Sequence, residues 1–423
     1  MKKTLLQHIS LFLVTVILAL VFLVLGACLP QAPIDENVRD SVEVMMTEGC
    51  YPYMADHSFA STLDYMTDAL ILAESKATSI ENPSSILTNP RYDYGENTTV
   101  KNLYRYASDE NPQPTSFYVQ YWMGFRPVMR LLLNFLDYYQ ILRYTAVAFF
   151  VLFAAVMCSV ANRAGTKTAF LFALSIITIR PHVTAVSLQF SCCFFLAFLA
   201  MLAVPRLSRR SSLVSLFFLE LGILTQYFDF YTTPVLTFVL PMTYLYILKI
   251  QDQAAPGLKQ IGGYALSWSA GYGLMWLAKL LLTSCLTDAN GLGQGFSSFM
   301  GRVGIEKVSG MEEFYSPIVA LRGVYASLYS DREGKIILLA TIAAAFLILL
   351  GVFLKRRCRP AALLQHPQLL LLAALPVIWF MAAAQPTANH HWFQYRGIAG
   401  SFWAGFLWLQ YLLQKQPDSP VSR

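Results

Sequence analysis

From Ile9 to Ala27 the chain carries no ionisable side chain, and apolar runs of this kind return along its whole length. About 20 helical residues cross the hydrocarbon core of a bilayer. Inside that core every backbone N–H and C=O must be paired within the segment, so such runs fold as helices. Ten apolar spans can be marked: 5–28, 140–161, 168–180, 183–204, 212–226, 233–248, 263–285, 336–354, 369–384 and 397–413. Composition agrees. Charged residues make up 13 % of the chain, against about 25 % in soluble domains, and mean hydropathy is +0.48. The expected fold is all-α, a polytopic transmembrane bundle of about ten helices whose partner is the lipid bilayer.

The basic residues stand at span ends. With the N-terminus inside and the spans alternating, Lys2 and Lys3, Arg163 and Lys167, Arg206, Arg209 and Arg210, Lys249 and Lys259, and Lys355, Arg356, Arg357 and Arg359 all fall on one side. That is the positive-inside pattern of cytoplasmic loops. The expectation is a multi-pass cell-membrane protein with both termini cytoplasmic. The net charge of +6 then reports orientation, and no nucleic-acid partner is expected. Leu25-Gly26-Ala27-Cys28 resembles the end of a lipoprotein signal, but the run before it exceeds the usual core of about 7–15 residues. It reads as an uncleaved first helix. Cys28 and Cys50 share the outer side, and either a disulfide between them or free thiols fits the sequence.

The chain divides into a first helix (1–28), a large extracytoplasmic loop (29–139), helices two to seven (140–286), a second outer loop (287–334), and helices eight to ten with a short tail (335–423). The first loop holds 15 of the 25 acidic residues. A helix is expected over Ser58–Lys76. The end of the loop, "YVQYWMGFRPVMRLLLNFLDYYQILRY", has the composition of a helix lying in the membrane interface. The second loop opens Gly-rich and turns amphipathic around Met311–Tyr329. Spans 168–180, 212–226 and 233–248 are short for a bilayer. Interrupted helices occur where backbone lines a protein-enclosed cavity. "QYFDFYTTP" (residues 226–234) therefore reads as a turn below the outer surface, facing such a cavity.

Ionisable groups within a membrane mark function or a buried pair. Glu220 and Lys279 lie mid-span, and either pair with each other or line a polar cavity for a charged ligand. Asp229 sits at the turn with Gln226, Thr232 and Thr233, where it either contacts a ligand or caps the next helix. In the outer loop, Asp64 and Asp68 are four residues apart and on one face if helical. Paired carboxylates suit general-base chemistry, because crowding raises one pKa; a solvated face is the plain alternative. "NHHWFQYR" sets His390, His391 and Arg396 beside Trp392 and Tyr395, a set suited to phosphate at the interface or to an aromatic belt. Adjacent histidines alone make no metal site. Arg126, Arg130 and Arg180 add outer cations. No P-loop, GxGxxG, GxSxG or HExxH motif occurs.

The layout resembles the GT-C class of membrane glycosyltransferases, with many helices, a large first outer loop carrying acids, and interfacial helices in that loop. "YWMGFRPVMRLL", "SLQFS", "QYFDFYTTPVLTFVLPM" and "GYGLMWLAK" also resemble stretches in a group of uncharacterised membrane proteins of Gram-positive bacteria. The resemblance implies transfer of a sugar from a polyprenyl-phosphate carrier to an envelope acceptor. It implies Asp64 or Asp68 as general base and Arg126 or Arg396 on the phosphate, with Asp229 orienting hydroxyls. It calls for no organic cofactor and leaves a divalent metal open. The alternatives are a transporter or flippase for a lipid-linked or small polar solute, and a non-catalytic membrane protein of envelope assembly.

Overall fold

The structure, a computed structural model, describes residues 2–54, 58–229, 231–302, 315–329, 366–413 and scattered positions between 335 and 350. It is 77 % helix, with one two-stranded antiparallel ribbon, Pro90–Arg91 on Ser116–Phe117, among the described residues. The first helix, α1 (Lys2–Ala27), leads into a folded segment, called the outer segment after its expected side. That segment holds α2 (Ala32–Glu48), α3 (Tyr65–Ala77), the single turn α4 (Ser85–Thr88), α5 (Thr99–Ser108) and α6 (Arg126–Leu133). Next come α7 (Tyr138–Ala164), α8 (Thr166–Ile177), α9 (Pro181–Ala185), α10 (Leu188–Leu207), α11 (Ser211–Phe228), α12 (Val235–Gln251) and α13 (Leu258–Leu286). Beyond them lie α14 (Gly291–Arg302), α15 (Pro317–Leu328) and the helices Pro367–Ala382, Ala384–Asn389, His391–Gln394 and Ile398–Leu413.

Side-chain caps set several of these starts. Asp137 and Gln140 form a reciprocal capping box on α7, while Thr98 and Ser187 cap α5 and α10. Each satisfies amides that the first turn leaves without partners. Among the described residues four helices are long and apolar enough to cross a membrane: Leu5–Ala27, Tyr138–Ala164, Leu188–Leu207 and Leu258–Leu286. Thr166–Ile177, Ser212–Phe228, Val235–Gln251, Pro317–Leu328 and Pro367–Ala382 are apolar but shorter. The expected span 183–204 is two pieces, α9 and α10, because Ser187 is extended and starts the second afresh. Most of the expected span 336–354, the basic group at 355–359 and the tail beyond 413 lie outside the described residues, as do 311–314.

Burial divides into three apolar clusters. The largest joins α7, α8, α10, α12 and the last helix through Phe149, Phe172, Phe198, Phe238 and Trp403. The second packs Ile34, Val38 and Met45 of α2, Leu72 of α3, Leu103 of α5 and Leu133 of α6 against Ile141 of α7, Val183 of α9 and Phe190 of α10. The third cluster bonds the two together: Leu23 of α1 and Ile223 of α11 meet Trp122, whose Nε1 donates to the Met275 carbonyl of α13 at 2.7 Å.

α6 departs from the expected orientation of an interfacial helix. Its arginines point inward and are buried, while Val128, Leu131 and the following Phe135, 77 % exposed, face out. The apolar side is therefore the outer one. That side suits contact with lipid, and the cations serve the interior.

Candidate functional site

Two neighbouring chambers, which share part of their lining, lie between the outer segment and the helices. The larger, about 730 Å³, is aromatic and lined by Tyr272, Trp276, Phe296, Phe299 and Trp379. The smaller, about 400 Å³, is the more polar of the two, lined by Thr67, Gln120, Gln189, Asn389, His390 and Gln394, among others. Tyr121, Tyr231, Ser298 and Arg302 line both. These volumes fall within the range of about 300–1,000 Å³ usual for ligand sites.

Arg302 is the cation of the shared wall. It donates from Nη2 to the Tyr121 hydroxyl at 2.6 Å, and its guanidinium lies over the Tyr121 and Tyr231 rings at 5.1 and 4.9 Å. Among the described residues no carboxylate lies within ion-pair distance of it. The buried Trp379 Nε1 is a second donor in the aromatic chamber without a hydrogen-bond partner among the described residues. Arg302 was absent from the candidates read in the sequence. A signal exists: Phe296, Phe299 and Arg302 are spaced by three, one face of a helix.

Tyr231 holds a left-handed backbone, φ 66°. For a bulky residue that is strained, and strain of this kind clusters at functional positions. Asp229 holds the turn. Its amide closes α11 onto Thr225, and its carboxylate accepts from the Thr232 amide and hydroxyl. Asp229 is buried behind the wall, not in the cavity, and it is not the cap of α12, whose first flanking residue is Pro234. Its work is to present Tyr231 and Gln226 to the chambers; Gln226 lines the aromatic one.

The two outer acids sit close to the polar chamber. Asp64 is the N-cap of α3 rather than a residue of its face: its carboxylate accepts from the Thr67 amide at 3.0 Å and from the Thr67 hydroxyl at 2.8 Å. Asp68 accepts from the Tyr138 hydroxyl at 2.5 Å. They are 2 % and 1 % exposed, so the solvated-face alternative does not hold. Burial raises both pKa values, and Asp68 is pushed up to about 7, with the Asp64 charge adding to the rise and Tyr138 opposing it. Neither acid is part of the chamber surface. Thr67 is, and it connects Asp64 to the polar chamber.

The expected cations fare differently. Arg126 is fully buried and donates to Thr78 Oγ1 and to the carbonyls of Ser85 and Ile86. Arg130 donates to the carbonyls of Gly26, Leu29 and Ser75. Arg396 donates to Thr184 Oγ1 and to the carbonyls of Trp392 and Ala60, and lies over the Phe190 ring at 4.3 Å. These three tie segments together through carbonyls and hydroxyls, and none of them lines either chamber. Arg180 donates to Ser58 and Ser61 at 3.1 and 2.8 Å. With Arg396 it pins the turn that leads into Asp64.

Glu220 and Lys279 do not pair. Glu220 accepts from Thr15 of α1 at 2.9 Å and lines a separate groove with Leu6, Val14 and Phe217. Lys279 donates to the Leu87 carbonyl and lies 5.9 Å from the Trp122 ring centroid. The histidines also part. His390 lines the polar chamber, its pKa lowered to about 4 by burial and by the Arg302 charge, so the ring is neutral at neutral pH. His391 turns away to Ser327 at 2.8 Å. A buried acid missing from the sequence candidates is Glu74, 3.3 Å from Arg91 and within the field of Arg126 and Lys279. Cys28 and Cys50 are free thiols. Among the described residues no three His, Cys, Asp or Glu side chains gather as a metal site. No family model, no curated protein and no solved structure matches the chain.

Proposed function

We propose that this protein is a membrane glycosyltransferase of GT-C type. It would move a sugar from a polyprenyl-phosphate carrier to an envelope acceptor on the outer face of the membrane. The observation that carries the reading is the pair of neighbouring chambers with Arg302 in their shared wall. An aromatic chamber, a cation and a polar chamber, in that order, match an amphiphile made of hydrocarbon, phosphate and hydroxylated headgroup.

The chemistry follows from those positions. The acceptor hydroxyl loses its proton, and its oxygen attacks the anomeric carbon. The bond from that carbon to the phosphate oxygen breaks, and the lipid phosphate leaves with the electron pair. Arg302 balances the charge that develops there. The proton passes to the Thr67 hydroxyl as Thr67 hands its own to Asp64, along the 2.8 Å hydrogen bond between them. Burial raises the pKa of Asp64 toward the working range of a general base.

Purified protein in lipid nanodiscs, given a radiolabelled glycosyl polyprenyl phosphate and an envelope glycan, is expected to release polyprenyl phosphate. Asp64→Asn and Arg302→Gln are each expected to lower turnover by about a hundredfold, and Thr67→Val by about tenfold or more. Wild-type turnover in all three folded variants would sink the assignment. One observation favours a second reading, a flippase or transporter: both acids stand behind the chamber wall. Movement of the intact lipid-linked sugar across vesicle membranes, with no cleavage, would select that reading.

A further inference from the structure

The smaller chamber is lined by two cations, Arg91 and Arg302, and by no carboxylate among the described residues. Burial, and after it the Arg302 charge, hold the ring of His390 neutral there at neutral pH. Both guanidiniums rest on one aromatic pair. Arg91 lies 4.3 Å from the Tyr118 ring centroid and Arg302 5.1 Å from that of Tyr121, with 5.3 Å between the two centroids. A ring face attracts a guanidinium but supplies no counter-charge.

Arg91 is held from behind. Its Nε lies 3.3 Å from Glu74 Oε1, and Glu74 is 1 % exposed and outside the chamber lining. Arg126 and Lys279 share the field of that one carboxylate, so Glu74 does not answer to Arg91 alone. Among the described residues no hydrogen bond uses the terminal nitrogens of Arg91, and 17 % of its side chain stays accessible. A guanidinium fork presented in this way matches the paired oxygens of a carboxylate or a phosphate.

Placement says which reactant carries that oxyanion. Thr67 and Glu74 are seven residues apart on α3, so they share a face and stand about 10 Å apart along the axis. Arg91, paired with Glu74, is thus set two turns beyond the hydroxyl that takes the acceptor proton. Arg302, in the wall shared with the aromatic chamber, already answers the single phosphate of the donor. Arg91 is a second cation on the acceptor's side.

We infer that Arg91 binds an oxyanion of the acceptor, a phosphodiester or a carboxylate, in the polar chamber. The inference rests on the glycosyltransferase reading and names the acceptor class within it: an anionic polyol phosphate or acidic glycan, and not a neutral sugar chain. Glu74 and Tyr118 are the positioning residues of that guanidinium.

Equilibrium binding to the purified full-length chain in phosphatidylcholine nanodiscs tests it. The probes are a glycerol phosphate oligomer, a glucuronic acid oligomer, a glucose oligomer of equal length, and bare polyprenyl phosphate. Wild type is expected to bind an anionic oligomer about tenfold more tightly than the neutral one, and the tighter of the two anions identifies phosphate or carboxylate as the group read. Arg91→Gln is expected to remove most of that preference and Arg91→Lys to keep part of it, while bare-lipid affinity stays within about twofold. Arg105→Gln, at an exposed ion pair, is expected to change none of these. An unchanged melting temperature establishes that each variant is folded. In wild type alone, added salt is expected to weaken the anionic oligomers and spare the neutral one. Anionic oligomers bound no more tightly than the neutral one overturn the inference, as does binding of them that salt leaves unchanged. A preference that survives in Arg91→Gln, or falls equally in Arg105→Gln, also overturns it. Loss of bare-lipid binding in Arg91→Gln overturns it by giving Arg91 to the donor phosphate. Bare lipid bound with no oligomer bound overturns this inference alone, and failure of all four probes overturns the glycosyltransferase reading with it.

Discussion

Arg126 and Arg302 both bring a guanidinium into the interior, and their surroundings give them opposite work. Arg126 meets carbonyl oxygens that have no helix to bond to, and its donors are consumed there. Arg302 meets tyrosine rings and one hydroxyl, which leave its charge unbalanced within the described residues. Asp68 shows how burial turns a residue into a pH-dependent element. An ordinary aspartate titrates near 3.8, whereas Asp68 holds its proton to about 7. Between these values the folded state binds more protons than the unfolded one. Stability therefore falls as pH rises through that window, and the loss is complete above about pH 7. Asp68→Asn removes the titration and keeps an acceptor for Tyr138. Its melting temperature is expected to exceed that of wild type at about pH 8 and to approach it near pH 4. An equal difference at both pH values, by thermal unfolding in detergent, would count against a buried titrating acid. The sequence marked Asp64 and Asp68 as a pair through their spacing. Which of them caps the helix and which lies inside it depended on where α3 begins, at Tyr65.

Helix against helix, the closest seam is between α11 and α13. A Cβ added at Gly222 would collide with the Trp268 carbonyl, and one at Gly271 with the Leu219 carbonyl. Small residues facing each other let backbones approach in this way within a membrane. The seam places Tyr272 and Trp276 of α13 beside the turn that ends α11, which builds one wall of the aromatic chamber. Gly222→Ala is expected to lower the melting temperature by about 1–3 °C, through the roughly 1–3 kcal/mol of overpacking. Gly273→Ala, on the same helix with open space around it, is expected to change little. Similar melting temperatures for the two variants would show that the seam has room. The break between α11 and α12 was legible, since fifteen apolar residues on each side of a polar turn are too few for a single crossing. What the turn does was not, because the hydrogen bonds of Asp229 run to Thr232 and not outward.

At the scale of the whole molecule, the outer segment is locked onto the helices by bonds between residues far apart in the chain. Gly124 donates to Tyr227 at 2.9 Å, Trp122 to Met275 at 2.7 Å and Arg130 to Gly26 at 2.8 Å. If that segment lies outside and the N-terminus inside, Glu110→Cys in intact cells is expected to react with a membrane-impermeant maleimide, and Lys167→Cys only after permeabilisation. Both positions are exposed. The reverse pattern would invert the orientation. Apolar run length and the placement of basic residues, which depend on the solvent around each segment, were enough by themselves to specify a helical chain with segments long and apolar enough to cross a membrane and a proposed side for each loop. They singled out Asp64, Asp68, Arg126, Arg130 and Arg396 among the residues that leave water, and missed Glu74 and Arg302. They did not determine which arginine holds carbonyls and which faces a cavity, nor that Glu220 and Lys279 stay apart. A charge in a low-dielectric interior is satisfied by whatever lies within a few ångströms of it. Those neighbours, Leu87 for Lys279 and Tyr121 for Arg302, come from distant parts of the chain and are decided only when the helices pack.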